Sequence, residues 1–264
     1  MALPNDSSLT FYTKATPNQW TYVLSLYNDV LSLKAATRKK KGGPEELIRL
    51  DNWYQEQLPK IIRSRKERHI THEELIQITK WKLIRGKHRP SLMDLVRINN
   101  EGQVLQITRK AFRRMPNISN AITALTNLKG VGPASASAIL AAAYPEQVPY
   151  MADESMMATP GVEGTDYTIM EYLNYAEQIK SCSERLSAID PDNDWNPHKV
   201  EMALWTHYLA RELKPVLLDD LPAPSYPDNQ GEGKENGTQQ QQTPADGPDD
   251  EDSSQDEPPK KKLH

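Results

Sequence analysis

The chain of 264 residues carries a single cysteine, Cys182, so an internal disulfide and a four-cysteine iron–sulfur cluster are both excluded. Its six histidines show no His-x₃-His or Cys/His ligand spacing, which argues against a zinc site. Long apolar runs are missing. The longest, Ala138 to Tyr144, is far too short to span a bilayer, so no membrane partner is expected. The opening Met1-Ala2-Leu3-Pro4-Asn5-Asp6 has neither a basic start nor an apolar stretch, so no signal peptide is expected and the reading is a soluble intracellular protein. Alternating, β-branched runs that would signal strands are missing too, and this predicts an all-α architecture with short connections. Residues 222–264 contain only four apolar side chains, Ala223, Tyr226, Ala245 and Leu263. A stretch so rich in Pro, Gly, Gln, Ser and acid cannot bury enough surface to offset its ordering entropy, so a disordered acidic tail is expected.

What remains is rich in helix signals. Capping boxes stand at Thr16 to Gln19, at Thr71 to Glu74 and at Thr168 to Glu171. The first should open one helix running to about Ala36, and the second a helix through Trp81 that stops at Gly86. Pro44 opens a further helical stretch that Pro59 should break or kink. Short helices are expected from Pro90-Ser91 and over Glu101 to Arg114, and Asn196-Pro197 should start the last helix, with His207 packed in the core. These signals divide the chain into an N-terminal helix and basic linker (1–43), a helical domain (44–215) with a hairpin at 121–144, and an acidic tail (216–264).

Charge is unevenly spread. Residues 38–114 hold 20 Lys/Arg against 9 Asp/Glu, whereas 115–215 hold 6 against 13 and 216–264 hold 4 against 12. A basic block of that size can neutralise several phosphates and favours nucleic acid as a partner. The cluster Arg38-Lys39-Lys40-Lys41 reads as a nuclear-import signal or a phosphate-contacting arm, and Pro258-Pro259-Lys260-Lys261-Lys262 as a nuclear-import signal, so the nucleus is the expected location. The acidic tail offers a docking segment for protein partners.

The segment Leu128-Lys129-Gly130-Val131-Gly132-Pro133-Ala134-Ser135-Ala136 reads as a helix, a glycine turn and a second helix with proline at its first position. Free backbone N–H groups at such a helix start attract anions, phosphate above all. An Ala-rich helix and the loop Val148-Pro149-Tyr150-Met151 then lead to Asp153, which could cap a short helix through Met157. This order of elements resembles the helix–hairpin–helix DNA glycosylase superfamily over about 26 residues, Leu128 to Asp153. A weaker helical likeness runs from about 70 to 215. The segments Asp51-Asn52-Trp53-Tyr54 and Trp81-Lys82-Leu83-Ile84-Arg85-Gly86-Lys87 look like those of the Amun-like animal proteins within that superfamily.

The resemblance implies double-stranded DNA as partner, a phosphate held at Gly130, Gly132 and Ala134, and backbone contacts from Arg85 and Lys87. It implies a base pocket drawing on Trp81, Tyr150 and Glu154, with Asp153 as the carboxylate that stabilises an oxocarbenium-like state. It also implies a monovalent cation on the main-chain carbonyls of Thr126, Leu128 and Val131, and no other cofactor. Three departures are plain. The interval to Asp153 is one residue longer than the family's, no arginine follows in Glu154-Ser155-Met156-Met157-Ala158, and Ala134 stands where bifunctional members carry a lysine. Without that amine, any activity is expected to be monofunctional base excision without strand cleavage. The alternative is a non-catalytic chromatin, regulatory or protein-interaction factor that retains the fold.

Overall fold

Helix caps written in the sequence set the element boundaries of the computed structural model, which describes residues 7–37, 43–89, 91–162, 164 and 166–225. The basic cluster at 38–41, the cluster at 258–262 and the tail from 226 onward lie outside the described residues. In chain order the helices are α1 (Ser8–Lys14), α2 (Pro17–Ser25), α3 (Tyr27–Ala36), α4 (Gly43–Asn52), a π-helical turn (Trp53–Gln57), α5 (Leu58–Ser64), α6 (His72–Arg85) and α7 (Leu92–Arg97). They continue as α8 (Glu101–Phe112), α9 (Ile118–Leu125), α10 (Pro133–Ala143), α11 (Asp153–Met157), α12 (Ile169–Ile189), α13 (Pro197–Leu213) and a 3₁₀ turn (Pro215–Leu218). No strand occurs among the described residues, so the all-α expectation holds.

All three capping boxes form, and Asn196 caps α13 through a bond from the Lys199 N–H. The helix expected from Pro17 to Ala36 is instead two, broken at Leu26, and α1 had no strong sequence signal. Pro59 neither ends nor splits its stretch into separate rods. The preceding turn widens to π spacing, and the proline falls at the start of α5, where its missing N–H is harmless.

Two helices are buried nearly all round, and the rest wrap them. In α10 every residue from Ala134 to Ala143 is buried. Its alanines and serines let α5, α6, α9 and α12 approach closely. Tyr54 on the π turn donates its hydroxyl to the Ala138 carbonyl at 2.7 Å. The second axis is α13, which buries Val200, Leu204, Trp205, His207 and Leu209 against α1, α2, α3, α11 and α12. His207 is in the core as expected, its Nδ1 2.9 Å from the Ser8 hydroxyl and its ring stacked on Phe11.

The N-terminal helices therefore belong to the main body and are not a separate arm, because α13 needs their apolar faces to cover it. The expected tail boundary also moves. Leu218 is buried, and residues 217–223 are tied back to α2 by Tyr22 Oη to the Leu217 carbonyl (3.0 Å), Gln19 Nε2 to the Pro222 carbonyl (2.9 Å) and Asn18 Nδ2 to the Ala223 carbonyl (2.9 Å).

Candidate functional site

The turn between α9 and α10 is held from outside by α7. Asn99, buried at its end, accepts from the Lys129 N–H at 2.8 Å and donates to the Lys129 carbonyl at 2.9 Å. Gly130 takes φ +76, and a Cβ there would meet Val96 Cγ2 at 2.9 Å and Leu95 Cβ at 3.0 Å. Glycine is thus required twice over, by conformation and by space. Gly132 does not share that need. Its φ is −94, ordinary extended backbone, and an added Cβ would meet nothing within 4 Å.

Inside the turn, Val131 N–H donates to the Leu128 carbonyl, and Ser135 and Ala136 N–H groups donate to the Gly132 carbonyl. Among the described residues, the N–H groups of Gly130, Gly132 and Ala134 have no such partner. These are the donors expected to meet a phosphate, and Gly132 is exposed. Among the described residues, the carbonyls of Thr126 and Val131 likewise accept no backbone bond, and that of Leu128 accepts one.

Next to α10 lies a small cleft walled by three segments: Lys82, Lys87 and Arg89 from α6 and its exit, Ala134 from α10, and Tyr150 to Glu154 from the loop into α11. Tyr167, from the loop after α11, closes it. The α10 helix positions the loop through Ser137, whose hydroxyl accepts from the Met151 N–H at 3.0 Å. Tyr150 is buried against Trp81, ring centroids 5.1 Å apart.

Asp153 is the first residue of α11 and not its cap, since Ala152 occupies the cap position. The Asp153 carboxylate instead accepts the Tyr167 hydroxyl, at 2.8 Å and 2.9 Å to its two oxygens. Burial and this hydrogen bond raise the Tyr167 pKa, so the phenol remains a donor. Tyr167 holds φ +59, a left-handed conformation that costs a bulky residue of order 1–3 kcal/mol, and Arg89 stacks 4.7 Å over its ring. Glu154 faces Lys34 at 3.4 Å. As it stands, the cleft has room for about one water, roughly 20 Å³ for a water-sized sphere.

Arg85 is not available to a phosphate. It is 1 % exposed, and both its terminal nitrogens lie 3.1 Å from Glu201 Oε1. Its guanidinium carbon sits 4.2 Å from the Trp205 ring centre, with Trp81 and Tyr150 also around it. Burial by itself would lower the Arg85 pKa, but Glu201 and the neighbouring acids hold it above its ordinary value. Burial pushes Glu201 up to about 7 against the pull of Arg85. The cause of the miss is geometric: α6 is nearly all buried at its end, and the sequence spacing of Arg85 and Lys87 says nothing of which points inward. Lys87 is exposed at the cleft.

Trp81 is core, fully buried, stacked 3.6 Å on Tyr54 and donating Nε1 to Asp51 at 2.8 Å. It supports the pocket from behind through Tyr150 and does not line it.

Part of the basic block is paired within the chain, mostly at the surface. Arg65 pairs with Glu74 at 2.6 Å, Arg109 and Arg113 with Glu67 at 3.1 and 3.3 Å, and Lys80 with Glu46. Arg68 donates to the Ala143 carbonyl, at the end of α10 remote from the glycine turn. The cations left at the cleft are Lys82, Lys87 and Arg89. Tyr167, Arg89 and Glu201 carry no motif signal, because each reaches its place through a loop or a distant helix. No family model, curated protein or solved structure matches the chain.

Proposed function

We propose that the chain is a nuclear DNA-binding protein with a helix–hairpin–helix, glycosylase-like architecture, and that its cleft at Asp153 receives a nucleotide turned out of the duplex. The observation that carries this reading is the meeting of three segments far apart in sequence. The unpartnered N–H groups of Gly130, Gly132 and Ala134 start the helix whose first turn also walls the Asp153 cleft. A phosphate on those donors sets the backbone beside the cleft. Lys87 and Arg89 add positive charge at the same mouth. A monovalent cation on the Thr126, Leu128 and Val131 carbonyls would add positive charge beneath that phosphate. Asp153 supplies the carboxylate that stabilises positive charge developing on the sugar as a glycosidic bond breaks. Entry of a base requires Tyr167 to leave the carboxylate, and unpairing the base costs a few kcal/mol more.

A second reading, a non-catalytic DNA-binding or regulatory factor on the same fold, is favoured by Tyr167 engaging both Asp153 oxygens. One experiment separates the two. Full-length protein and Asp153→Asn are incubated with duplexes carrying single modified bases, then treated with hot alkali to reveal abasic sites. Binding is followed against salt in parallel. Excision lost in the variant, with binding that weakens steeply in salt, is the result expected of a glycosylase. Salt-sensitive binding without excision of any base supports the second reading. No binding at low salt sinks both.

A further inference from the structure

A second, much larger hollow shares no lining residue with the Asp153 cleft. It is a groove of about 850 Å³ for a water-sized sphere, open between α3, the stretch from α4 through the π turn, and the start of α13. We propose that this groove binds an aliphatic polyamine: one ammonium meets Asp51 at the floor, the methylene chain lies along Leu31, Ile48 and Met202, and further ammonium groups meet Glu45 and Glu56 at the rim. The inference stands apart from the DNA-binding reading above.

The floor is short of positive charge. Asp51 lines the groove and is 3 % exposed. Its Oδ1 accepts from Tyr27 Oη and Trp81 Nε1, both at 2.8 Å, and among the described residues it has no ion pair. Arg85 acts on Asp51 through space, but both its terminal nitrogens are bound to Glu201. Two buried carboxyls therefore share one guanidinium, and burial keeps His198 beside them neutral. Such a cluster holds either an extra proton or a surplus negative charge, and a buried charge without compensation is costly. A ligand cation at Asp51 restores the balance. Burial raises the Asp51 pKa, which accords with a carboxyl lacking a cation.

The floor is also short of donors. Gln55 Nε2 donates to Tyr27 Oη, so its Oε1 takes the Nε2 proton of His198 at 2.7 Å. That leaves His198 Nδ1 an acceptor, 3.9 Å from Glu201 Oε2, and neither atom has a hydrogen-bond partner. His198 lines the groove and is nine-tenths buried. Positive charge in the groove stabilises both acceptors.

The walls and rim extend the match. Ile48 is 41 % exposed, and with Leu24, Leu31 and Met202 it gives the groove an apolar side. Glu45 precedes Asp51 by about 9 Å along the α4 axis, and Glu56 follows on the π turn. Carboxylates set at intervals along an apolar wall suit ammonium groups set at intervals along a methylene chain. The Glu56 pair with Lys60 is exposed on both sides and weak. Of the two cations in the lining, Lys199 is held by the Asp194 carbonyl at 2.5 Å and its carboxylate at 3.6 Å. Arg49 stands at an edge shared with the neighbouring groove.

The test is titration calorimetry of the full chain with spermidine at about 0.15 M salt, with 1,4-butanediol as an uncharged probe. Residues 228–257 are acidic and attract any polycation, so two variants of equal charge are compared. Ile48→Lys and Ile61→Lys each replace a partly exposed isoleucine, but only Ile48 lines the groove. Wild type and Ile61→Lys are expected to bind spermidine alike, Ile48→Lys to bind it about tenfold or more weakly, and none to bind the diol. Asp51→Asn is expected to weaken binding likewise at an unchanged thermal midpoint. If that variant fails to fold, Ile48→Lys decides. Binding undiminished in Ile48→Lys, an equal loss in Ile61→Lys, binding of the diol as tight as that of spermidine, or no spermidine binding by wild type overturns the proposal, and none of these outcomes touches the DNA-binding reading.

Discussion

Gly130 and Gly132 look alike in the sequence, and their surroundings separate them. Gly130 is left-handed and packed on α7, so Gly130→Ala adds a strained backbone of about 1–2 kcal/mol. It also drives a methyl into Val96 and Leu95, an overpacking cost of about 1–3 kcal/mol. A loss of about 2–4 kcal/mol in urea unfolding is expected. Gly132→Ala should leave stability within about 0.5 kcal/mol of wild type, since its backbone is ordinary and its Cβ meets only solvent. If the turn holds a DNA phosphate, Gly132→Ala binds duplex more weakly at unchanged stability. Equal stability losses for both variants would contradict this division. The same lesson applies to Arg85 and Lys87, two residues apart in the chain. One is locked between Glu201 and Trp205 and the other is exposed. Spacing along α6 did not distinguish them, because the partner that claims Arg85 comes from α13.

At the scale of elements, the caps were legible and the joins were not. Thr16, Thr71, Thr168 and Asn196 all start helices as their local sequences require, since an N-cap is decided by bonds within four residues. The π turn before Pro59 and the break at Leu26 depend on what packs there. So does the 3₁₀ turn at Pro215–Leu218, which lies where the composition had already suggested the tail. A chain ending at Lys214 loses the Leu218 contact and the three hydrogen bonds to α2, each worth about 1 kcal/mol. It is expected to unfold roughly 5 °C or more below a chain ending at Ser225 in a thermal melt. Equal midpoints would show that the strap contributes nothing.

For the whole molecule, the buried polar network around α13 sets the response to acid. His198 is buried, bonded through Nε2 to Gln55 Oε1 at 2.7 Å, and its Nδ1 faces Glu201 Oε2 at 3.9 Å. Burial, and then the charge of Arg85, lower its pKa to about 3. The unfolded chain takes up a proton on this histidine below about pH 6.5, and the folded chain refuses it until about 3. His198 therefore contributes stability above about pH 6.5 that is lost as pH falls toward 3, by about 1.4 kcal/mol per pH unit. Glu201, raised to about 7, acts in the opposite sense, being better protonated folded than unfolded. The difference between wild type and His198→Gln isolates the histidine. Urea midpoints between pH 7.5 and 5 should show the variant losing less stability than wild type as pH falls. A constant difference would mean that the folded histidine takes up its proton over the same pH range as the unfolded one.

The sequence by itself determined the helical class, most helix starts, the glycine turn and the stretch leading to Asp153, because these rest on backbone preferences and short-range bonds. Only the tertiary structure decided that Arg85 is a buried partner of Glu201, that Tyr167 occupies the Asp153 carboxylate, and that Lys82 shares a cleft with Ala134. Each of these depends on which surface is desolvated when distant helices pack, and no local pattern encodes that.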